Sequence, residues 1–398
     1  MKKEQRIYLD YNATTPCDPR VVDTMLPYFS EMAGNAASRN HPFGWEAEEA
    51  VANARNQIAS LIGADEREII FTSGATESAN LAIKGVFEMY ARKGNHIITV
   101  ETEHKAVLDT CVHVEKKGGE VTYLKVNEDG LIDLAELRSA IKDTTVLVSI
   151  MWANNETGVL QPMEAIGKIC EEKGVLLFSD ATQAVGKIPT HPQKIGVHLM
   201  GFTAHKMYGP KGIGALFVNR KRPRVKLTEQ INGGGHEEGM RSGTLNVPGI
   251  VGFGKAAEIA EQEMKGEVNR LSQLRDKLED ALVHNIEECF INGSTKQRMP
   301  QVTNLSFRNV DSEGLLMTFN QNIAVSTGSA CTSASLDPSH VLTAMGLSDD
   351  LAKSSVRFSL GRFTTEAEID LVIEKVKAGA EQLRALSPVW EMFKEGIL

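Results

Sequence analysis

The chain has little of what would assign its class at once. Its five cysteines, Cys17, Cys111, Cys170, Cys289 and Cys331, are odd in number, widely scattered and never spaced as C-x-x-C. That argues against a disulfide framework or a zinc site and points to a reducing compartment. No apolar run approaches the roughly 18 residues of a membrane span, and Met1 to Arg6 lack the apolar stretch of a secretory leader. A cytoplasmic location without membrane partners is the expectation. Nor is the overall balance basic: 43 Lys and Arg stand against 52 Asp and Glu, a formal net charge of −9. Binding nucleic acid by charge needs a basic face, so no direct nucleic-acid partner is expected. Internal repeats, low-complexity tracts and long Pro- or Gly-rich linkers are absent too.

What is present is ordinary globular material, 398 residues of which 42% are hydrophobic, enough for two or three structural units. From about residue 66 to 218, short apolar runs alternate with longer amphipathic stretches. This is the pattern of β-α-β units around a mostly parallel central sheet, an α/β fold. The expected strands are 68–71, 96–100, 120–124, 145–150, 175–179, 199–202 and 215–218. Helices are expected at 77–90 and at 163–173, the latter stopped by Gly174. After Gly249 the pattern predicts a long helix over 252–288, a strand at 303–307, a Ser/Thr/Gly-rich segment at 326–335, a strand at 355–359 and a charged helix from 365. These make a smaller α+β unit packed on the first. The division expected is a large unit of residues 16–260 and a small unit of 1–15 together with 261–398.

In open α/β sheets ligands bind beyond the carboxyl ends of the strands, and five segments there carry polar residues. In Phe71-Thr72-Ser73-Gly74-Ala75-Thr76-Glu77 a strand turns into a helix whose start suits a phosphate, although Ser73 or Thr76 could simply cap it. His104 follows the run 98–103, where a solvated surface histidine is the plainer reading. Asn154-Asn155-Glu156-Thr157-Gly158 reads equally as a turn. Asp180 ends an apolar run with Gln183 one turn later; it can hold a protonated ring nitrogen or cap a helix. Finally, Thr203-Ala204-His205-Lys206-Met207-Tyr208-Gly209-Pro210-Lys211 places a lysine at a strand end, where an amine can serve as a Schiff base, with Lys211 as the competitor.

The order of these features, phosphate cup, His, Asn, strand-end Asp and then Lys, resembles the fold type I family of pyridoxal-phosphate enzymes. The segment 326–342, Ser326-Thr327-Gly328-Ser329-Ala330-Cys331 and onward, resembles the catalytic loop of cysteine desulfurases of the housekeeping iron–sulfur-cluster assembly type. Tyr8-Leu9-Asp10-Tyr11-Asn12, Phe43-Gly44-Trp45 and Arg241-Ser242-Gly243-Thr244 match as well. By this resemblance Lys206 holds pyridoxal 5'-phosphate as a Schiff base, Asp180 pairs with its pyridine nitrogen and His104 stacks on its ring. Asn155 and Gln183 lie near its phenolic oxygen, and Ala75, Thr76, Thr203 and His205 hold its phosphate. Thr244 reaches the cofactor of a partner subunit, implying a homodimer. Thr203 stands where relatives often carry Ser, and Ala36-Ala37 replaces a segment that often contains Pro.

The activity implied is removal of sulfur from L-cysteine, giving L-alanine and a persulfide on Cys331. Lys206 acts as base, His104 assists the thiolate, and Arg357 clamps the substrate carboxylate, with Asn155 beside it. The setting of Cys331 among Ser, Thr and Gly suits a loop that carries sulfur between sites rather than a core thiol. The resemblance implies an iron–sulfur scaffold protein and tRNA-thiolation carriers as acceptors, with Cys331 transiently sharing a [2Fe–2S] cluster with the scaffold. The alternatives are a lyase acting on selenocysteine or cysteine sulfinate, an aminotransferase, or a non-catalytic sulfur-carrier or scaffold-docking protein.

Overall fold

The apolar runs of the first half of the chain meet in one seven-stranded sheet. The computed structural model describes residues 6–327 and 337–397. Its strands, after a two-residue β1 (Ile7–Tyr8), are β2 (Ile69–Thr72), β3 (His96–Val100), β4 (Glu120–Leu124), β5 (Thr145–Ser149), β6 (Leu176–Asp180), β7 (Leu199–Thr203) and β8 (Gly214–Val218). They lie in the order β2-β8-β7-β6-β5-β3-β4. β8 runs antiparallel to both neighbours and the remaining pairs are parallel. β3, β5, β6, β7 and β8 are buried at every residue, because a sheet covered by helices on both faces has no solvent side for alternate residues. The α/β architecture with a mostly parallel central sheet therefore follows from continuous, rather than alternating, apolar runs.

Several strand ends differ from the sequence pattern. β2, β6 and β7 each run one residue further, to Thr72, Asp180 and Thr203, because their ladders with neighbouring strands extend to those residues, and β5 stops one residue short, at Ser149. The long helix spans Val247–Asn285 and begins five residues before the expected start. Asn246 caps it by accepting from Gly249 N at 3.1 Å, and Pro248 stands where no intrahelical donor is needed. Its glycines act as contact surfaces: a Cβ on Gly254 would lie 2.5 Å from Ala54 Cα of the helix Pro42–Ile62.

Beyond that helix come β9 (Cys289–Ile291), β10 (Val302–Phe307), β11 (Ile323–Ala324), β12 (Ser326–Thr327) and β13 (Ser355–Ser359). An antiparallel sheet has the order β12-β13-β10-β9, and β1 pairs in parallel with β11. Ile7 and Leu9 consequently pack with Leu305, Phe307 and Phe358 in a core distinct from those on the two faces of the large sheet. The helix Glu366–Ala385 opens with a reciprocal cap between Thr365 and Glu368. A further helix, Pro388–Lys394, is separated from it by the Ser387 cap, a break the charged C-terminal pattern does not reveal. Among the described residues no helix is long and apolar enough to cross a membrane.

Candidate active site

A cavity of about 660 Å³ opens past the carboxyl ends of the parallel strands. Ala75, Thr76, His104, Asn155, Asp180, Gln183, Thr203, His205, Lys206 and Arg357 all line it, together with Asn12, Ala13, Thr14, Met151, Thr182 and Lys211. The fold thus gathers side chains from six separated segments and from β13. Thr244 is exposed and does not belong to this lining. Cys331, and with it the expected cluster ligand, lies outside the described residues.

The wall nearest β2 is built by a helix start. The helix Ala75–Met89 follows Gly74 without any side-chain cap. The alternative reading, a cap by Ser73 or Thr76, does not form. Ser73 N donates to Glu77 Oε2 at 2.7 Å, and the Thr72 and Ser78 hydroxyls pair at 2.8 Å. The leading N–H groups, which a helix cannot satisfy internally, are left for a ligand at the positive end of the dipole. Burial disfavours the charge on Glu77, but Arg241, donating from Nε at 2.8 Å, and Ser73 outweigh it and hold the carboxylate below its ordinary range.

Lys206 ends the short turn of helix after β7. Its Nζ donates to Ala13 O at 2.6 Å and to Asn12 O, so main-chain oxygens from the N-terminal segment hold the amine. Beside it, His205 Nδ1 meets Thr14 Oγ1 at 3.1 Å. Burial, with the nearby Lys206, Lys211 and Lys187 charges, pushes the His205 imidazole down to about 4, so it is neutral at pH 7. Thr203 Oγ1 donates to Ile213 O at 3.0 Å, leaving that oxygen only acceptor capacity.

Asp180, at the end of the neighbouring β6, is buried and accepts from Thr182 N at 2.9 Å. The local turn and a carboxylate facing the cavity are therefore compatible. His104 caps the helix Lys105–Lys116, its Nδ1 accepting from Ala106 N at 3.1 Å. That bond puts the proton of the neutral ring on Nε2. Gln183 Nε2 donates to Asn12 O at 2.9 Å and Asn12 Nδ2 to Asn155 O at 3.1 Å.

Arg357 sits on an interior strand of the small sheet, not an edge, and is 3% exposed. It donates to Asn155 O at 3.0 Å and to Asp10 Oδ1 at 2.7 Å, while its buried Nε has no partner among the described residues.

Four contributors went unassigned in the sequence: Asp10, Asn12, Glu103 and Glu156. Glu103 is fully buried beside His104 and accepts from Met151 N. Burial first, then the Asp180 charge, pushes its carboxyl well above the usual carboxylate range. Burial pushes Glu156 up to about 7 against the opposing pull of Ser339 and Arg357. Ser339 donates to Glu156 Oε2, and His340 Nε2 lies 3.0 Å from Glu103 O. Each glutamate is flanked by polar residues, so its only signal in sequence is its place after a strand.

Residues 7–372 match the Aminotransferase class-V family. The Cysteine desulfurase IscS of Pectobacterium carotovorum subsp. carotovorum (strain PC1) is 58% identical over 393 residues, covering 98% of this chain and 96% of the relative. The chain belongs to the cysteine desulfurases of the class-V aminotransferase family. This desulfurase is also similar to a solved NifS-like protein, with 38% identity, a TM-score of 0.87 and coverage of 94% of this chain and 99% of that one. The NifS-like protein from Rickettsia africae ESF-5 follows at 32% identity and a TM-score of 0.84, covering 95% of this chain and 100% of that one.

The family is pyridoxal-phosphate-dependent, and the desulfurase's cavity fits that group. It offers an amine, a carboxylate, an imidazole and an uncapped helix start on one concave surface. Thr182 Oγ1 is buried at its wall with no partner among the described residues, as expected of a polar atom awaiting a ligand. Among the described residues no group of three or more His, Cys, Asp or Glu is placed to hold a metal ion.

Proposed function

We propose that the chain takes the sulfur of L-cysteine, releases L-alanine and retains the sulfur as a persulfide on Cys331, using pyridoxal 5'-phosphate held in the 660 Å³ cavity. The observation that carries this reading is the convergence of Lys206, Asp180, His104 and Arg357 on one cavity beside an uncapped helix start. When bound, pyridoxal phosphate supplies an electron sink. The helix start at Ala75 and Thr76 receives the phosphate, with His205 beside it. Thr203 shapes the cup, its hydroxyl hydrogen being committed to Ile213 O. Lys206 would tether the group through its amine, Asp180 would keep its pyridine nitrogen protonated, His104 would lie against its ring, and Asn155 and Gln183 would serve its phenolic oxygen.

Arg357 binds the substrate carboxylate with Asn155 at its side. The Lys206 amine would take the Cα proton. The Cys331 thiolate then attacks the substrate sulfur: the new S–S bond forms as the C–S bond breaks, and the electrons left on Cβ accept a proton to give alanine. His104 assists deprotonation of Cys331. The four described cysteines support this assignment. Burial pushes Cys111, Cys170 and Cys289 up to about 12, burial and Asp18 raise Cys17, and none lines the cavity.

The same reading includes a homodimer in which Thr244 serves the partner's cofactor, and a cytoplasmic location. It also includes delivery of sulfur to an iron–sulfur scaffold, with Cys331 briefly sharing a [2Fe–2S] cluster, and to tRNA-thiolation carriers. The division into units of 16–260 and of 1–15 with 261–398 belongs to it too, supported by the separate core around Leu9, Leu305 and Phe358.

The test is mass spectrometry of the Cys331 peptide after L-cysteine is added, with one extra sulfur atom expected. Cys331→Ala should keep the cofactor's colour and its response to substrate while alanine production stops; normal turnover in that variant would refute the persulfide route.

A further inference from the structure

Two residues after Lys206, Tyr208 has φ +63°, a left-handed conformation that a bulky side chain adopts only where its surroundings impose it. Those surroundings are explicit. Tyr208 N donates to Thr15 Oγ1 at 2.8 Å, and Asp18 N donates to Tyr208 O at 2.9 Å. Thr15 also donates from N and from Oγ1 to His205 O, at 2.9 and 3.0 Å. The segment 12–18 thus runs bonded along 205–208, and the same segment supplies the Asn12 and Ala13 oxygens that receive Lys206 Nζ.

The other grip comes from the far end of the chain. Arg362 N donates to the Tyr208 hydroxyl at 2.6 Å, and the Arg362 guanidinium lies 4.2 Å from the centroid of the Tyr208 ring. Its NH1 donates to Asp18 Oδ2 at 2.7 Å, and its Nε pairs with Glu267. Phe363 meets the same ring edge-on at 5.8 Å. Arg362 therefore touches both strands of the pairing, residue 208 on one side and residue 18 on the other, while lining no part of the cavity.

We propose that Arg362 and Tyr208 are positioning residues for Lys206: the clamp holds residues 205–208 against 12–18, so that the lysine amine is presented in one place when the cofactor arrives. This rests on the reading of Lys206 as the Schiff-base lysine. The chemical sense is preorganisation, since a flexible lysine must otherwise be ordered in the same step that forms the bond.

The test uses the full-length chain freed of cofactor and then given pyridoxal phosphate, with borohydride trapping, peptide mapping and an absorbance titration of the bound cofactor. In Arg362→Gln, trapping at Lys206 is expected to slow and cofactor affinity to fall by roughly tenfold, equivalent to about 1.4 kcal/mol. The pH at which the cofactor band titrates should shift as well, with the cofactor-free melting temperature near that of the parent chain. Arg362→Lys, which keeps the charge, should recover part of the loss. Tyr208→Gly accepts the left-handed backbone freely but lacks the ring, and should behave like Arg362→Gln; if the latter does not fold, this variant decides alone. Parent-like trapping, affinity and titration in a folded variant overturn the proposal. Should the parent chain itself yield no adduct at Lys206, the assignment of that lysine fails, and this inference with it.

Discussion

Glu156 shows what burial does to one side chain at this site. With a folded-state pKa of about 7 against an ordinary value of 4.5, it binds its proton more tightly folded than unfolded. Its contribution to stability is thus fully present below about pH 4.5 and is lost as pH rises through about 7. Glu156→Gln keeps an acceptor for Ser339 and removes the titration. Melting temperatures measured from pH 5 to pH 8 should show the variant gaining on the parent chain as pH increases; a constant difference would remove Glu156 as the source. His205 has the opposite sign. Its imidazole is depressed to about 4, so the stability tied to its neutral form is present above the ordinary histidine range and is lost as pH falls through 4. His205→Gln should blunt acid unfolding in that interval, as read by circular dichroism.

Among the elements, the crossing of β8 with the turn after β2 tolerates little change. A Cβ on Gly214 would lie 2.6 Å from Gly74 Cα and 2.7 Å from Phe202 O, and backbone on both sides cannot yield. Gly214→Ala is expected to cost about 1–3 kcal/mol and to push the helix start away from the cavity. A lower melting temperature together with weaker cofactor retention on gel filtration would show both effects. The parallel strands were legible in the sequence because burial on two faces leaves uninterrupted apolar runs. β1 and β11 were not, since two-residue strands carry no period. The beginning of the long helix was hidden by Pro248 and Gly249, which read as breakers but lie in its capped first turn. The lysine, aspartate and histidine of the site were legible as residues that follow apolar runs. Glu103 and Glu156 were not, because what buries them is distant in sequence: Ser339 stands 183 residues from Glu156.

At the scale of the molecule, Arg357 joins three regions by donating to Asn155 of the large sheet's rim and to Asp10 of the N-terminal segment from its own strand in the small sheet. A lysine is a point charge and cannot serve both partners and a carboxylate in one plane. Arg357→Lys should raise KM for L-cysteine by about tenfold or more, with a smaller change in kcat, the signature of lost substrate binding. An unchanged KM in steady-state assays would move the carboxylate site elsewhere.

The helix Val247–Asn285 crosses the same territory without a break. Its first half, including Ile250, Phe253 and Ala257, is packed in the core of the large sheet, and Leu271, Leu278 and Leu282 of its second half are packed in the core of the small one. A beam embedded in two foundations leaves little freedom for them to tilt apart. If the two cores keep this orientation, the cavity's entrance stands open at one width, and amino acids of similar bulk should compete with cysteine for admission, as inhibition assays would show.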